Sequence, residues 1–359
     1  MTTKGNITRL FPGGNTSRGF YSYYHHIIDS YKANRIFILK GGPGVGKSSL
    51  MKKIGEYMVD KGFDVELHHC SSDIDSLDGL VVPKLKIAII DGTAPHIVDP
   101  KHPGAVDEII HLGDFWNEDK LKENRSGIVN TIDENTKMYK RIYKYLEAAK
   151  LMRDDIEWMY NEATDLLKVK KANRDLINKV FTKVNRVNRI AKERHLFSSA
   201  LTNKGRIDFA STIINNENEI YYIEGLYEKI KSELLIKIAD KALDYGYDVM
   251  FYHEPLEPDR IEMISIPKMD IEITTCGEYS SEKAINFDEY LDKQMLIKFE
   301  KELSTSKDIF NTLMENTFTS LEKAKEVHDC IETYYVPNVN FKEVDKKIEE
   351  LIEKIMLFA

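Results

Sequence analysis

The stretch Ile36-Phe37-Ile38-Leu39-Lys40-Gly41-Gly42-Pro43-Gly44-Val45-Gly46-Lys47-Ser48-Ser49 decides how the chain is read. Its first five residues form an apolar, strand-prone run. Gly41 to Ser48 then fit G-x-x-x-x-G-K-[ST] in full, and apolar residues at 50, 51, 54, 57 and 58 continue with helical spacing. Strand, glycine loop and helix in that order build a phosphate cradle. Gly41, Gly44 and Gly46 let the backbone turn tightly and aim N–H groups at phosphate oxygens, and the helix N-terminus adds partial positive charge. Gly42, Pro43, Val45 and Ser49 complete the loop. Lys47 is expected to reach the outer phosphates and Ser48 to place its hydroxyl on Mg2+.

A second apolar strand, 85–91, ends in Asp91, the residue type that helps hold Mg2+ beside such a loop. Gly92 follows where many ATPases carry a second acid, so the group that activates the attacking oxygen is not assigned by this element. Between loop and strand lies 65–79, which reads as a strand running into an acidic turn. Ligands of open α/β sheets sit beyond the carboxyl ends of strands, which puts His69, Cys70, Ser71, Asp73 and Asp75 at the expected rim. They read as a general base, a water-orienting group or a substrate contact, or else as a polar loop whose aspartates cap the next turn. Neighbouring strand residues point to opposite faces, so His68-His69-Cys70 is not expected to hold a metal. The Pro- and Gly-rich segment 92–104 reads as a shaped loop, from which Thr93, His96 and Asp99 are expected to sense the γ-phosphate. Pro103, Asp107 and Glu108 suit a helix start.

The chain has 359 residues, enough for about two domains and a substantial core. Charged residues make up 31% and hydrophobic residues 42%, the balance of a globular chain. With 51 basic against 59 acidic side chains, the net charge of −8 makes a nucleic-acid partner an unlikely expectation. Cys70, Cys276 and Cys330 are too scattered for a disulfide framework and suggest a reducing, cytoplasmic setting. Neither a signal core nor a long apolar span is evident, so no membrane association is expected.

Shifting the chain by 184 positions, Gly41 onto Gly225, aligns 36–89 with 220–273 without gaps, and 17 of 54 residues are identical. Lys47 and Ser48 meet Lys231 and Ser232; His69 meets His253; Asp75 meets Asp259; Arg9-Leu10-Phe11 parallels His195-Leu196-Phe197 upstream. The fold class read from this is α/β: tandem P-loop NTPase modules, each a mainly parallel sheet flanked by helices and carrying a long helical arm. The first module spans 1–195, with its arm at about 119–194. The second spans 196–359, with its tail at about 287–358. In the second copy Glu228, Ile230 and Glu233 stand for Gly44, Gly46 and Ser49, and Thr275 stands for Asp91. Bulky and acidic residues oppose a phosphate, so only the first site is expected to be competent.

The arm 119–194 is nearly free of Gly and Pro and reads as a helical hairpin, its 168–194 stretch locally basic; the tail is similar and breaks at Pro337. Leu146-Glu147, Ala149-Lys150 and Ile156-Glu157 align with Leu321-Glu322, Ala324-Lys325 and Ile331-Glu332. The arms are candidate contacts for a protein partner or for a second copy of the chain.

The chain resembles the bacterial tandem P-loop ATPases, in which GGPGxGKS is followed by HHCSSDxDSLDG and then DGTAPHxVDP. These stand here at 41–48, 68–79 and 91–100. The resemblance implies ATP and Mg2+ as ligands. Members of that family often keep an intact second loop, whereas this sequence does not. The expected activity is ATP hydrolysis at one site, with Lys47 and Asp91 as the catalytic pair, Ser48 and Asp91 on the metal, and Arg194, Arg206 or Arg260 as a candidate arginine finger. A small-molecule or nucleotide kinase, with an acceptor pocket lined by 68–78 and His96, is the alternative. A nucleotide-gated scaffold with little turnover is the third.

Overall fold

Short β-branched runs separated by glycine turns and amphipathic segments give a chain of alternating strands and helices. In the computed structural model, which describes residues 3–94, 96–279 and 285–359, the first half contributes β1 (Ile7–Leu10), β2 (Gly13–Thr16), β3 (Gly19–Ser22), β4 (Arg35–Lys40), β5 (Val65–His69), β6 (Leu77–Val82), β7 (Ile87–Asp91) and β8 (Asp107–His111). Its helices are α1 (Lys47–Asp60), α2 (Glu118–Glu123), α3 (Arg125–Glu162) and α4 (Leu166–Val180). The second half contributes β9 (Glu193–Leu196), β10 (Ser199–Thr202), β11 (Gly205–Asp208), β12 (Glu219–Glu224), β13 (Val249–His253), β14 (Ile261–Ile266), β15 (Ile271–Thr274) and β16 (Ile285–Asn286). Its helices are α5 (Ala210–Ile213), α6 (Glu228–Asp244), α7 (Lys293–Lys298), α8 (Glu300–Tyr335) and α9 (Phe341–Met356).

Two six-stranded mixed sheets result, in the orders β1-β5-β6-β7-β4-β8 and β9-β13-β14-β15-β12-β16, the same order strand for strand. Most pairings are parallel; β6 and β14 run antiparallel to both neighbours. The sequence reading has a turn over 70–79, but its second part is strand β6, buried throughout. Asp78 and Gly79 interrupt the apolar pattern there, and a Cβ at Gly79 would lie 3.3 Å from that of His68 on β5, a tight contact. The expected helix start at Asp107 is also corrected. Asp107–His111 is an edge strand parallel to β4, and the Asp107 carboxylate accepts from the His102 N–H instead of capping a helix.

The expected helical hairpin over 119–194 is corrected, since α3 takes its packing partner from the other half and not from α4. The chain leaves the helix after Val180, and α3 lies along α8, with Ile142, Leu146, Leu321 and Ala324 between them. At 38 residues, α3 is about 57 Å long, enough to carry the chain past its own sheet. The sequence reading attaches each arm to its own core, whereas the packing is exchanged. Val169, Leu176 and Val180 of α4 join the core built on α6, and Val344, Ile348, Leu351 and Ile355 of α9 join the core built on α1.

The halves meet reciprocally. Phe11 and Phe197 exchange both backbone hydrogen bonds at 3.0 Å, a contact each residue makes with its own counterpart. Arg18 pairs with Asp259, and their counterparts Lys204 and Asp75 pair at 2.6 Å. Such isologous contacts relate the two halves by an approximate two-fold axis. No helix among the described residues is long and apolar enough to cross a membrane.

Candidate functional site

The glycine loop leaves β4 and enters α1 through Gly44 at φ 68° and Gly46 at φ 93°, left-handed values that favour glycine. Among the described residues, the N–H groups of Gly42, Gly44 and Gly46 donate to no other backbone group, and those of Lys47 and Ser48 lie in the first turn of α1, where no intrahelical acceptor precedes them. The Lys47 ammonium donates to the Gly41 and Gly42 carbonyls at 2.6 and 3.0 Å and lies 3.5 Å from Asp91 Oδ2. Asp91 ends β7, directly beside β4, and its other oxygen accepts from the Thr93 N–H at 2.9 Å and from the Thr93 hydroxyl. Ser48 Oγ accepts from the Leu77 N–H at 3.0 Å, tying α1 to β6. The end of α8 lies over the loop: a Cβ on Gly42 would fall 2.9 Å from the Tyr335 ring, and one on Gly44 2.8 Å from Val336. Gly41, Gly42, Pro43, Gly44, Val45, Gly46, Lys47, Ser48 and Asp91 thus converge, and their donors and oxygens fit a triphosphate with a hard divalent cation.

The rim residues divide. His69 has both ring nitrogens engaged, Nδ1–H donating to the Ile74 carbonyl at 2.9 Å and Nε2 accepting from Arg9 at 2.9 Å. Burial pulls its pKa down to about 4, so it stays neutral and ties the β5–β6 loop. The same bonds recur in the second half, from His253 to the Pro258 carbonyl and from His195 to His253, which explains why this histidine is present in both copies. Asp73 accepts from Ser76 Oγ at 2.8 Å and faces Lys325 of α8 at 3.6 Å. Asp75 is spent on Lys204. Thr93 serves Asp91. His96 stacks on Tyr24, with ring centres 4.7 Å apart, and its Nε2 is 3.8 Å from Asp78. Pro95 lies outside the described residues. Burial pushes both the Cys70 thiol and the Asp78 carboxyl up. Sequence reasoning placed Asp78 only within the 68–78 lining of the kinase alternative's acceptor pocket and passed over Tyr24, which had no motif to mark it.

The three candidate finger arginines are each held by carboxylates: Arg194 by Glu66, Arg206 by Glu262 at 2.6 Å, and Arg260 by Glu157 and Glu257. In the second half the loop itself is gone. Helix α6 begins at Glu228, where Gly44 stands in the first half, so the residues replacing Gly44, Val45 and Gly46 are helical. Lys231 is neutralised by Glu228 at 2.7 Å. Ser232 accepts from the Ile261 N–H at 2.9 Å, the counterpart of the Ser48–Leu77 bond. Ser232 therefore has a structural use that does not involve phosphate.

Glu272 on β15 replaces Ala88 and is buried, accepting from Ser265 Oγ and Asn218 Nδ2 with its second oxygen unpaired. Burial raises its pKa to about 7. The folded protein then keeps this proton to higher pH than the unfolded chain, so the group costs stability as pH rises from its ordinary 4.5 through about 7. Glu272→Gln is expected to match the wild type in urea unfolding at pH 4 and to exceed it by about 2–3 kcal/mol at pH 8.

No family model, curated protein or solved structure matches the chain.

Proposed function

We propose that the chain is a Mg2+-dependent, ATP-binding P-loop NTPase of the tandem type, hydrolysing ATP at one site in its N-terminal half. The observation that carries this is a glycine loop whose Gly42, Gly44 and Gly46 N–H groups have no backbone acceptor, running into the N-terminus of α1 with the Lys47 ammonium 3.5 Å from Asp91. Amides with no other acceptor, at a helix N-terminus, suit phosphate oxygens. In this reading Lys47 exchanges its loop carbonyls for the phosphates and stabilises charge on the transferring group. Ser48 and Asp91 hold Mg2+, which neutralises phosphate charge when bound. Thr93 fixes the Asp91 carboxylate. The repeated strand order and repeated side-chain bonds support descent from one duplicated module, the second of which no longer binds phosphate. The three free cysteines suit a cytoplasmic location. The outer faces of α3 and α8 remain the candidate surface for a protein partner or a second copy.

Gly92 in place of a second acid favours a small-molecule or nucleotide kinase, or a nucleotide-gated scaffold with little turnover, over a fast hydrolase at the same nucleotide site. The test measures ATP binding and phosphate release with Mg2+, for wild type and Lys47→Ala, with and without small-molecule acceptors. Lys47→Ala is expected to weaken ATP binding about 10- to 100-fold, the worth of a charge-assisted hydrogen bond, and to bring phosphate release to background. Intact ATP binding in that variant removes the site assignment. ATP consumption that requires an acceptor replaces hydrolysis with phosphoryl transfer.

A further inference from the structure

Among the described residues, one set of metal-ligating side chains converges: a ligand atom from each of Cys70, Asp78 and His96, all within 4.8 Å of one another. They come from three separate segments, the end of β5, the middle of β6 and the loop after β7. This set is not the His68-His69-Cys70 run considered from the sequence, and it is not the Ser48–Asp91 pair. We propose that Cys70, Asp78 and His96 form a binding site for a borderline-soft divalent cation of the zinc class, distinct from the Mg2+ of the nucleotide site.

The case rests on charge and on an internal comparison. Asp78 is 6% exposed, and among the described residues no lysine or arginine pairs with it; the His96 imidazole lies 3.8 Å away. A buried carboxylate takes a positive partner or a metal, or else keeps a proton. The second sheet is partnered differently. The counterparts of Cys70 and Asp78 are Glu254 and Glu262, at the same places on β13 and β14. Arg153 holds Glu254 at 2.9 Å and Arg206 holds Glu262 at 2.6 Å. The counterpart of Arg206 in the first half is Phe20, which carries no charge and packs on His96 with ring centres 4.7 Å apart. Where the second sheet's carboxylates meet guanidinium groups, Arg153 from α3 and Arg206 from β11, the first sheet has a thiol, a carboxylate and an imidazole facing one another.

A second observation points the same way. His96 Nδ1 is buried with no hydrogen-bond partner among the described residues, while the Tyr24 hydroxyl lies against the Asp78 carboxyl. Buried polar atoms left unsatisfied are uncommon and call for a ligand or an ion. The donor set names the ion. Thiolate and imidazole together select Zn2+ and its neighbours over Mg2+ or Ca2+, and three protein ligands leave a position free for water or substrate. Bonds of about 2.0–2.3 Å need the three ligand atoms to close by roughly 1 Å from the observed spread.

The test uses the full chain, stripped with a chelator and titrated with Co2+ in excess Mg2+. The readout is the thiolate-to-cobalt charge-transfer absorption, with competition by Zn2+. The wild type is expected to saturate at one Co2+ per chain with a charge-transfer band that Zn2+ abolishes. Cys70→Ser is expected to lose the band, and Cys276→Ser and Cys330→Ser to keep it. Asp78→Asn and His96→Gln are expected to weaken Co2+ binding by at least about 10- to 100-fold, since even outer-shell partners are worth that much. Absence of the band in the wild type, or its persistence in Cys70→Ser, overturns the site. Should Cys70→Ser fail to fold, unchanged affinity in both Asp78→Asn and His96→Gln overturns it equally. Lys47→Ala is expected to bind Co2+ as the wild type does, so failure of the nucleotide reading and failure of this site are separate outcomes.

Discussion

Arg194→Ala is expected to lower the unfolding free energy by about 3–5 kcal/mol, the cost of removing one partner from a buried ion pair. The guanidinium donates to both oxygens of Glu66, at 2.8 and 2.6 Å, and also to the His26 and Ile27 carbonyls at 2.8 and 2.7 Å. Arg194 sits on β9 of the second sheet and Glu66 on β5 of the first, so the pair clamps the halves together beside the Phe11–Phe197 bridge. Burial alone would push the Glu66 carboxyl up, but the charge and hydrogen bonds of Arg194 outweigh it and hold the group well below the usual carboxylate range. A depressed carboxyl contributes stability above its unfolded value of about 4.3, and that stability is lost as pH falls below it. Urea midpoints of wild type and Arg194→Ala should therefore differ most at neutral pH and converge toward pH 3. The double variant Arg194→Met with Glu66→Leu, which removes both charges and fills the space, is expected to recover most of the loss. If the single variant unfolds like the wild type at pH 7, the pair is not the clamp described.

The parts of this fold legible from sequence are those whose pattern is local. The loop from Gly41 to Ser48 and the strand ending at Asp91 announce themselves because each function needs particular residue types at adjacent positions. The repeat was legible because two copies preserve spacing. What escaped was set by contacts between distant segments. Strand β6 carries Asp78 and Gly79 in an otherwise apolar run, and Gly79 is crowded there by His68 of β5, a contact no local pattern announces. The edge strand β8 looks like a helix start until β4 offers an open edge for pairing. The exchange of α4 and α9 has no local signal, since an amphipathic stripe does not say which core it covers. His69 and Asp75 were read either as rim chemistry or as part of a polar loop; in the structure one ties a loop and the other meets Lys204 from the opposite half. A single sequence does not separate such contacts from catalysis.

The second half also states what should happen to the first when its loop is rewritten. Gly44→Glu with Gly46→Ile, the residues found at 228 and 230, is expected to abolish ATP binding while leaving a folded protein. Both glycines hold positive φ, which a β-branched or long side chain adopts only with strain. A Cβ at residue 44 would also press on Val336, at 2.8 Å, and on the Glu332 side chain, at 3.4 Å. The way out is the one that α6 takes, starting the helix one turn earlier so that these residues become helical. That turn would spend on helical hydrogen bonds several of the N–H groups that the proposed site offers to phosphate. Each charge-assisted hydrogen bond lost is worth about 1.5–3 kcal/mol, so losing two removes at least about 100-fold in affinity. The introduced glutamate would pair with Lys47 as Glu228 pairs with Lys231, taking the remaining cation. Calorimetry with ATP and Mg2+ reads the binding, and amide exchange across 42–50 reads the added helical turn as new protection. Retained ATP affinity would mean that the loop amides are not the anion site. The reverse exchange, Glu228→Gly with Ile230→Gly, is expected to bind no ATP even if the loop reopens. Thr275 still stands where the first half has Asp91, and Glu233 still stands where it has Ser49.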